Sequence, residues 1–206
     1  MSPIPSPLTD SEFPKALTRV RLAVQHDAGV IARIYAHYVR RTAITFDLRA
    51  PSTRDFSKKI RETILRYPWL VYESGDRVLG YAYAGPHRER PAYRWAVTLS
   101  VYVDPDCRGR GIGRSLYAAL LGCLRLQGFT TAHGGITLPN PVSVKLHESF
   151  GFKPVGVYKN VGFKLGRWHD TGWWQRPLAA QPRRPREPLS PNQAAKTPGW
   201  PLALLP

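Results

Sequence analysis

The stretch Leu99-Ser-Val-Tyr-Val-Asp-Pro-Asp-Cys-Arg-Gly-Arg-Gly-Ile-Gly-Arg114 joins a candidate β-strand to a candidate α-helix. Residues 101–103 favour a strand, and Asp104-Pro105 ends it. Glycines let backbone N–H groups turn toward a ligand, and the N-terminus of the following helix favours negative charge. The stretch therefore predicts a site for a phosphate or pyrophosphate, formed by three glycines and three arginines: Gly109, Gly111, Gly113, Arg108, Arg110 and Arg114.

The glycine spacing distinguishes between classes of phosphate-binding loop. A dinucleotide-binding turn has Gly-x-Gly-x-x-Gly, and a Walker loop ends in Gly-Lys-Ser/Thr. The loop here has Arg-Gly-x-Gly-x-Gly after a Val-x-Val strand, which resembles the acetyl-CoA pyrophosphate loop of the GNAT acetyltransferases. A glycine-rich turn that binds no ligand is the alternative, because a glycine loop alone is weak evidence.

Length and composition indicate one globular domain. The chain has 206 residues, enough to bury a core, and its two cysteines, Cys107 and Cys123, form neither a disulfide framework nor a metal-binding spacing. The first sixteen residues contain four prolines without a long apolar run, which is typical of neither a signal peptide nor a membrane span. We therefore expect a reducing, cytoplasmic environment and no membrane partner.

The formal net charge of +16 invites a nucleic-acid interpretation. The last thirty residues contribute only four basic side chains against one acidic one, so most of the excess belongs to the folded part. The basic residues are scattered over helix faces and loops, and no nucleic-acid-binding motif accompanies them. A solvated basic surface that attracts anionic ligands is the better interpretation.

Hydrophobic periodicity predicts the order strand, two helices, three strands, helix, strand, helix and two strands. Such alternation is typical of one mixed α/β sheet covered by helices. The strand over 130–138 is weakened by Gly134-Gly135, and the segment 40–50 fits a helix or a strand equally well. We expect a mobile leader over 1–20, a domain over 21–177, and a proline-rich, disordered or extended tail over 178–206.

Further segments extend the resemblance. Asn140 precedes His147 by seven residues, and Gly151-Phe152 follows, as in the GNAT segment where an Asn meets the pantetheine arm and a Tyr protonates the departing thiolate. His147 stands at that Tyr position. The chain closely resembles phosphinothricin N-acetyltransferases and related methionine-sulfone acetyltransferases from about Leu22 to Pro177, through these and other segments: Arg66-Tyr-Pro-Trp-Leu-Val71, Tyr83-Ala-Gly-Pro86, Gly128-Phe129, Leu138-Pro-Asn140, Leu146-His-Glu148 and Gly166-Arg-Trp-His-Asp170.

The resemblance implies a fold and a reaction. It implies a single GNAT-type domain with a mixed, mostly antiparallel, twisted sheet, in which the strand of Val101 splays from the strand of Ile136. It also implies transfer of acetyl from acetyl-CoA to the α-amine of a small amino acid, in detoxification or resistance, by a homodimer. No metal is expected. Acetyl-CoA contacts are expected from the following residues: Val101, Tyr102, Val103, Arg108, Gly109, Arg110, Gly111, Ile112, Gly113, Arg114, Asn140 and Ser143.

Two residues are expected to carry the proton transfers. His147 is the first choice, because an imidazole can donate to a thiolate or accept from an ammonium near neutral pH. The resemblance places a Glu base three residues before Val101, where this chain has Thr98, and threonine has no titrating group near neutral pH. His147 then works alone, or Glu89, His87 or His133 replaces the base, or the substrate differs, or activity is degraded.

The substrate loop is expected at His87-Arg-Glu-Arg-Pro-Ala-Tyr93. In the related enzymes, basic residues at the places of Arg88 and Arg90, with Tyr93 and Phe46, hold the anionic amino acid. Guanidinium groups bind carboxylates and phosphinates through paired hydrogen bonds. Arg94 stands where the family often has an acid, which weakens inference about the exact substrate.

Other classes of function remain as alternatives. Acetylation of another amine, such as a peptide N-terminus, is one, and a catalytically impaired CoA-binding module is another, because of Thr98. A polyamine substrate is disfavoured, since Arg88 and Arg90 would repel a cation. Trp168-His-Asp170 offers only one His-Asp pair, which indicates a packed turn rather than a metal site.

Overall fold

A computed structural model describes residues 18–205, which form seven strands and six helices. The predicted leader lies outside this range except for its last three residues, which belong to the first strand. The strands are β1 (Thr18–Leu22), β2 (Trp69–Ser74), β3 (Arg77–Pro86), β4 (Ala96–Val103), β5 (Thr131–Leu138), β6 (Lys153–Lys164) and β7 (Arg167–Pro177). The helices are α1 (Ala28–Arg41), α2 (Thr53–Thr63), α3 (Ile112–Gln127), α4 (Pro141–Ser149), α5 (Pro191–Ala194) and α6 (Trp200–Ala203).

The strands form one sheet in the order β1-β2-β3-β4-β5-β7-β6. Every neighbouring pair is antiparallel except β4 and β5, which are parallel. β4 and β5 pair only over 96–98 and 131–133, and then separate. The predicted mixed sheet with a central splay and the predicted order of elements are confirmed.

Helices cover both faces of the sheet. On one face, α3 buries Leu116, Leu120 and Leu124 completely against β2, β3 and β4. On the other, α1 and α2 bury Ile31, Ile60 and their neighbours against β2 and β3. Removing each such side chain from water contributes about 1.5–3 kcal/mol, so these two layers hold the central strands in place.

An ion-pair network fixes the first strand to the helix that follows it. Arg21 Nη1 and Nη2 donate to the two carboxylate oxygens of Asp27 at 2.7 and 2.9 Å, and Nη2 also donates to Glu73 Oε1 at 3.0 Å. Asp27 is the N-cap residue of α1, but its carboxylate accepts from Val24 N–H rather than from the helix.

The tail, predicted as disordered or extended, has no helix or strand over residues 178–190 but packs against the domain and then forms α5 and α6. Trp95 Nε1 donates to the carbonyl of Arg186 at 2.7 Å, and Gln127 Nε2 donates to that of Leu189 at 2.6 Å. Trp200, only 5% exposed, packs with the core beneath α3. Proline at the first turn of α5 and α6 is compatible with short helices, so the apolar side chains between the prolines can dock.

Three boundaries also differ from the sequence prediction. The sequence pattern predicts a long strand from Tyr93 to Val103, but the strand begins at Ala96, because Pro91–Tyr93 forms a 3₁₀ turn. Residues 42–51 form neither helix nor strand. Trp168-His-Asp170 lies within β7 rather than in a turn after a strand, since the chain reverses at Leu165 and Gly166.

Candidate active site

The candidate site lies where β4 and β5 separate. Thr98 and His133 are the last residues that pair, so beyond them the β4 edge that faces β5 has no partner strand within residues 18–205. Side chains alternate along a strand: Val97 and Leu99 are buried toward α3, and Thr98 points to the opposite face. The splay thus leaves backbone hydrogen-bonding groups of β4 free for a ligand.

The glycine loop closes the far end of the splay. Asp104 Oδ1 accepts from Asp106 N–H at 3.1 Å, which shapes the turn that ends β4. Gly109 and Gly111 both have φ of +78°, and Gly111 is the residue before α3. A left-handed backbone at two alternate positions turns the loop around the N-terminus of a sixteen-residue helix, as an anion site requires.

The residues expected to contact acetyl-CoA have different exposures. Arg108 and Arg110 are exposed, and Arg108 lies against the Tyr38 ring at 5.3 Å. Ile112 is 3% exposed, so only its backbone can face a ligand. The Tyr102 side chain packs against Tyr35 on the sheet face that α1 covers. Val101 and Val103 pack on the opposite face, which α3 covers. The Arg114 guanidinium lies over the Phe150 ring.

The residues expected on α4 stand at its beginning. Asn140 Oδ1 accepts from Ser143 N–H at 3.2 Å and caps the helix. The Ser143 carbonyl accepts from the His147 ring one turn later. Both residues therefore define the start of the helix that carries His147.

His147 is buried between α4, α3 and β5. A carbonyl can only accept, so the contact of 2.8 Å between Nδ1 and the Ser143 carbonyl places the ring proton on Nδ1. Nε2 then accepts from Tyr117 O–H at 2.7 Å. Burial lowers the pKa of His147, so a neutral ring with both nitrogens bonded is favoured.

His147 needs the glycine opposite it. A Cβ at Gly134 would lie 2.3 Å from His147 Nε2, so Gly134 gives the imidazole room against β5. Because Gly134 faces His147, the preceding residue His133 and its partner Thr98 face the other way. The two residues expected to be catalytic, His147 and Thr98, thus lie on opposite faces of the sheet.

A second histidine occupies the face of Thr98. His87 Nδ1 lies 3.1 Å from Thr98 Oγ1, and the His87 ring stacks on His133 with centroids 3.8 Å apart. Trp173 meets His87 edge-on at 5.8 Å. Burial, with smaller contributions from His133 and Arg88, lowers the pKa of His87 to about 4. His87 is therefore unprotonated at neutral pH.

An open cavity of about 750 Å³ adjoins this cluster. Its lining contains Pro86 and most of the predicted substrate loop: His87, Arg88, Glu89, Arg90 and Tyr93. Arg94 points elsewhere, since its guanidinium binds Glu187 of the tail. Phe46 packs against the β6–β7 hairpin, where a Cβ at Gly162 would lie 2.3 Å from its ring.

The His-Asp pair in β7 has structural partners. Asp170 accepts from Lys159 Nζ and from Asn160 N–H, both at 2.8 Å, and His169 Nε2 donates to the Lys164 carbonyl at 2.9 Å. Over residues 18–205 no three His, Cys, Asp or Glu side chains form a group that could hold a metal. In the same range, no helix has the length and apolar character to span a membrane.

The sequence prediction missed two side chains of the site, Tyr117 and Trp173. Tyr117 lies on the buried stripe of α3, where a tyrosine among leucines indicates a hydroxyl with a specific partner. Trp173 also lies near Gly135, whose missing Cβ leaves room for the indole. The adjacent glycines 134 and 135 were the available signal, because each gives room to one of the two aromatic rings that flank β5.

Comparisons with known proteins agree with this geometry. The family model described as Acetyltransferase (GNAT) domain matches residues 20–173. Phosphinothricin N-acetyltransferase of Streptomyces coelicolor is 40% identical over 177 residues, covering 79% of this chain and 98% of that protein. L-methionine sulfoximine/L-methionine sulfone acetyltransferase of Salmonella typhimurium is 36% identical over 160 residues, covering 77% and 94%.

A solved structure shows the same fold. The phosphinothricin acetyltransferase of Sinorhizobium meliloti, a GNAT superfamily protein crystallised in complex with AcCoA, superimposes with a TM-score of 0.80 at 34% identity. The match covers 89% of this chain and 100% of that one.

Proposed function

This chain belongs to the GNAT acetyltransferase family, and from that premise we propose that it transfers acetyl from acetyl-CoA to the α-amine of a small amino acid. The proposed acceptor carries a tetrahedral polar group on its side chain, as phosphinothricin and methionine sulfone do. The observation that carries the proposal is the β4–β5 splay, which has an arginine-lined cavity near its start at Thr98 and the glycine loop at its far end.

The splay and the loop fit acetyl-CoA. The free edge of β4 offers backbone groups that can pair with the amides of the pantetheine arm as a strand would. One backbone N–H aimed at the thioester oxygen would stabilise the oxyanion by about 3–4 kcal/mol. The N–H groups of the glycine loop and the N-terminus of α3 would hold the pyrophosphate, with Arg108, Arg110 and Arg114 supplying positive charge. Asn140 and Ser143 would meet the pantetheine arm from α4.

The cavity fits an anionic amino acid. Arg88 and Arg90 line it, and a guanidinium binds a carboxylate or phosphinate through two parallel hydrogen bonds. Tyr93, 45% exposed at the same cavity, can add a hydroxyl contact. We assign Phe46 to the acceptor site on the resemblance to the family.

We also assign His147 to the proton of the departing thiol. That role requires a proton on Nε2, the atom that accepts from the Tyr117 hydroxyl. The hydrogen bond between Tyr117 and Nε2 must therefore break during the reaction. His147→Ala should lower turnover and keep acetyl-CoA binding. Tyr117→Phe frees Nε2 and should retain turnover. Turnover by His147→Ala equal to that of the wild type would remove His147 from the mechanism.

Thiol release across a panel of amines tests the function. The panel contains phosphinothricin, methionine sulfone, a peptide with a free N-terminus and spermidine. We expect release with the first two. Release with the peptide alone would establish a different acceptor, and acetyl-CoA binding without release from any amine would establish the impaired CoA-binding module that Thr98 suggests.

A homodimer completes the proposal. The β6–β7 hairpin exposes a row of large apolar side chains, which a second copy of the chain could cover: Val155, Val157, Tyr158, Val161, Phe163, Leu165 and Trp168. Light scattering should give twice the monomer mass, and Phe163→Glu should halve it. A monomeric wild type would contradict this assignment.

A further inference from the structure

Residue 98 lacks the group that would take a proton from the acceptor amine. The Thr98 hydroxyl cannot hold a proton near neutral pH, yet its Oγ1 lies 3.1 Å from His87 Nδ1. His87 comes directly after β3, and its N–H donates to the Ala96 carbonyl at 3.3 Å. The backbone pairing of β3 with β4 therefore fixes an imidazole beside Thr98, the position at which the family resemblance places a glutamate base.

The neighbouring histidine restricts how His87 can move. The His133 and His87 rings stack at 3.8 Å with an angle of 15° between them. His133 Nδ1 donates to the Val97 carbonyl at 3.2 Å, and since a carbonyl can only accept, this bond fixes both the ring and its tautomer. The His133 ring is thus held in place, and the His87 ring stacks against it.

The groups around His87 keep it neutral and open to the cavity. Electrostatic repulsion from His133 and Arg88 disfavours a proton on the ring and so lowers its pKa. Trp173 packs edge-on against the ring, and the ring centroid of Tyr93 lies 6.3 Å from that of His87. His87 also lines the cavity of about 750 Å³ that contains Arg88. A substrate carboxylate or phosphinate bound by Arg88 would offset the positive charge near the ring and so favour proton uptake by His87.

We propose that His87, oriented by Thr98 and stacked on His133, is the catalytic base that accepts the proton of the acceptor amine. In this arrangement Nδ1–H donates to Thr98 Oγ1, and the lone pair of Nε2 faces the cavity. The assignment rests on the acetyl-transfer function proposed above. It also assigns Thr98 and His133 as positioning residues.

The proton and electron movements balance without another reactant. The lone pair of the amine nitrogen forms the bond to the acetyl carbonyl carbon, and the electron pair of the C–S bond leaves with sulfur. The nitrogen loses one proton to His87 Nε2. His87 then releases that proton to solvent. The sulfur takes up the proton assigned above to His147 and leaves as the thiol, and His147 regains a proton from solvent.

The test compares His87→Ala with His26→Ala. His26 is an exposed histidine on the short turn before α1 and serves as the control. Losing a general base costs about 10²- to 10⁴-fold, so we expect kcat for thiol release to fall by that factor in His87→Ala and to stay unchanged in the control. Acetyl-CoA affinity, measured by calorimetry, should be equal in all three proteins.

Chemical rescue separates a base from a structural histidine. The side chain removed in His87→Ala leaves a space that opens to the cavity, so added imidazole should restore part of the turnover in a dose-dependent way. Thr98→Val should lower kcat less than His87→Ala and should respond less to imidazole, because His87 is still present. A fall in kcat that imidazole does not restore would overturn the proposal.

A measurement that needs no turnover covers the case in which His87→Ala fails to fold. Nitrogen-15 spectra of the wild-type rings should show His87 with its proton on Nδ1 and a bare Nε2, and a proton on Nε2 would overturn the proposal. Equal turnover in the wild type and His87→Ala would overturn the His87 assignment and leave acetyl transfer standing. Absence of thiol release in the wild type with every amine would overturn both.

Discussion

Replacing Gly134 by alanine tests the packing that holds His147 in place. The new Cβ would lie 2.3 Å from Nε2 and 2.5 Å from Cδ2 of a ring that is 4% exposed, so the imidazole must move. Inserting a methyl group into a packed site costs about 1–3 kcal/mol. Moving Nε2 also removes the acceptor of the buried Tyr117 hydroxyl, which costs about 1–3 kcal/mol more.

The expected total is about 2–6 kcal/mol, or a fall in Tm on the order of 10 °C for a chain of this size. Gly156→Ala is the matched control, because Gly156 is also a strand glycine and a Cβ there meets nothing within 4 Å. In the double variant Gly134→Ala/His147→Ala, the loss should be smaller than the sum of the two single losses, since the clash is gone. A Tm of Gly134→Ala equal to that of Gly156→Ala would refute the reasoning.

Three further predictions concern the tail, the first strand and the glycine loop. Trp200→Ala should cost up to about 3–5 kcal/mol and open the tail to limited proteolysis, whereas Leu202→Ala, 70% exposed, should change neither; equal cleavage of the two variants would contradict tail docking. Hydrogen bonds from Arg21 and Arg19 lower the pKa of Glu73 below its usual range. Its contribution to stability is therefore present above the unfolded-state pKa and lost as pH falls through the folded-state pKa, so Glu73→Gln should flatten the acid side of a plot of Tm against pH, and an unchanged slope would contradict this. Gly111→Ala should lower acetyl-CoA affinity in calorimetry, because a φ of +78° costs about 1–2 kcal/mol with a side chain present; unchanged affinity would show that the loop tolerates another backbone.

The order of strands and helices could be predicted because local patterns determine it. The alternating residues that lead into Val103 and the apolar stripe of α3 each indicate one element without reference to the rest of the chain. The glycine loop was predictable for the same reason. Its spacing is local, and its left-handed backbone at Gly109 and Gly111 follows from residues that favour it.

The parts that could not be predicted depend on contacts between distant residues. The cluster of His87, Thr98 and His133 requires the register of β3 with β4 and of β4 with β5, and register sets which face each side chain takes. The tail was predicted as disordered or extended because proline suppresses regular structure, while the docking of Trp200 depends on the distant helix α3. The separation of His147 from Thr98 by the sheet likewise follows from pairing and not from spacing along the chain.

The most direct test of the account is acetyl-CoA-dependent thiol release by the wild-type chain with phosphinothricin or methionine sulfone, with the product identified by mass spectrometry. The account predicts one thiol released for each N-acetylated amino acid formed. Acetyl-CoA that binds and yields neither thiol nor acetylated product with these amino acids would contradict it.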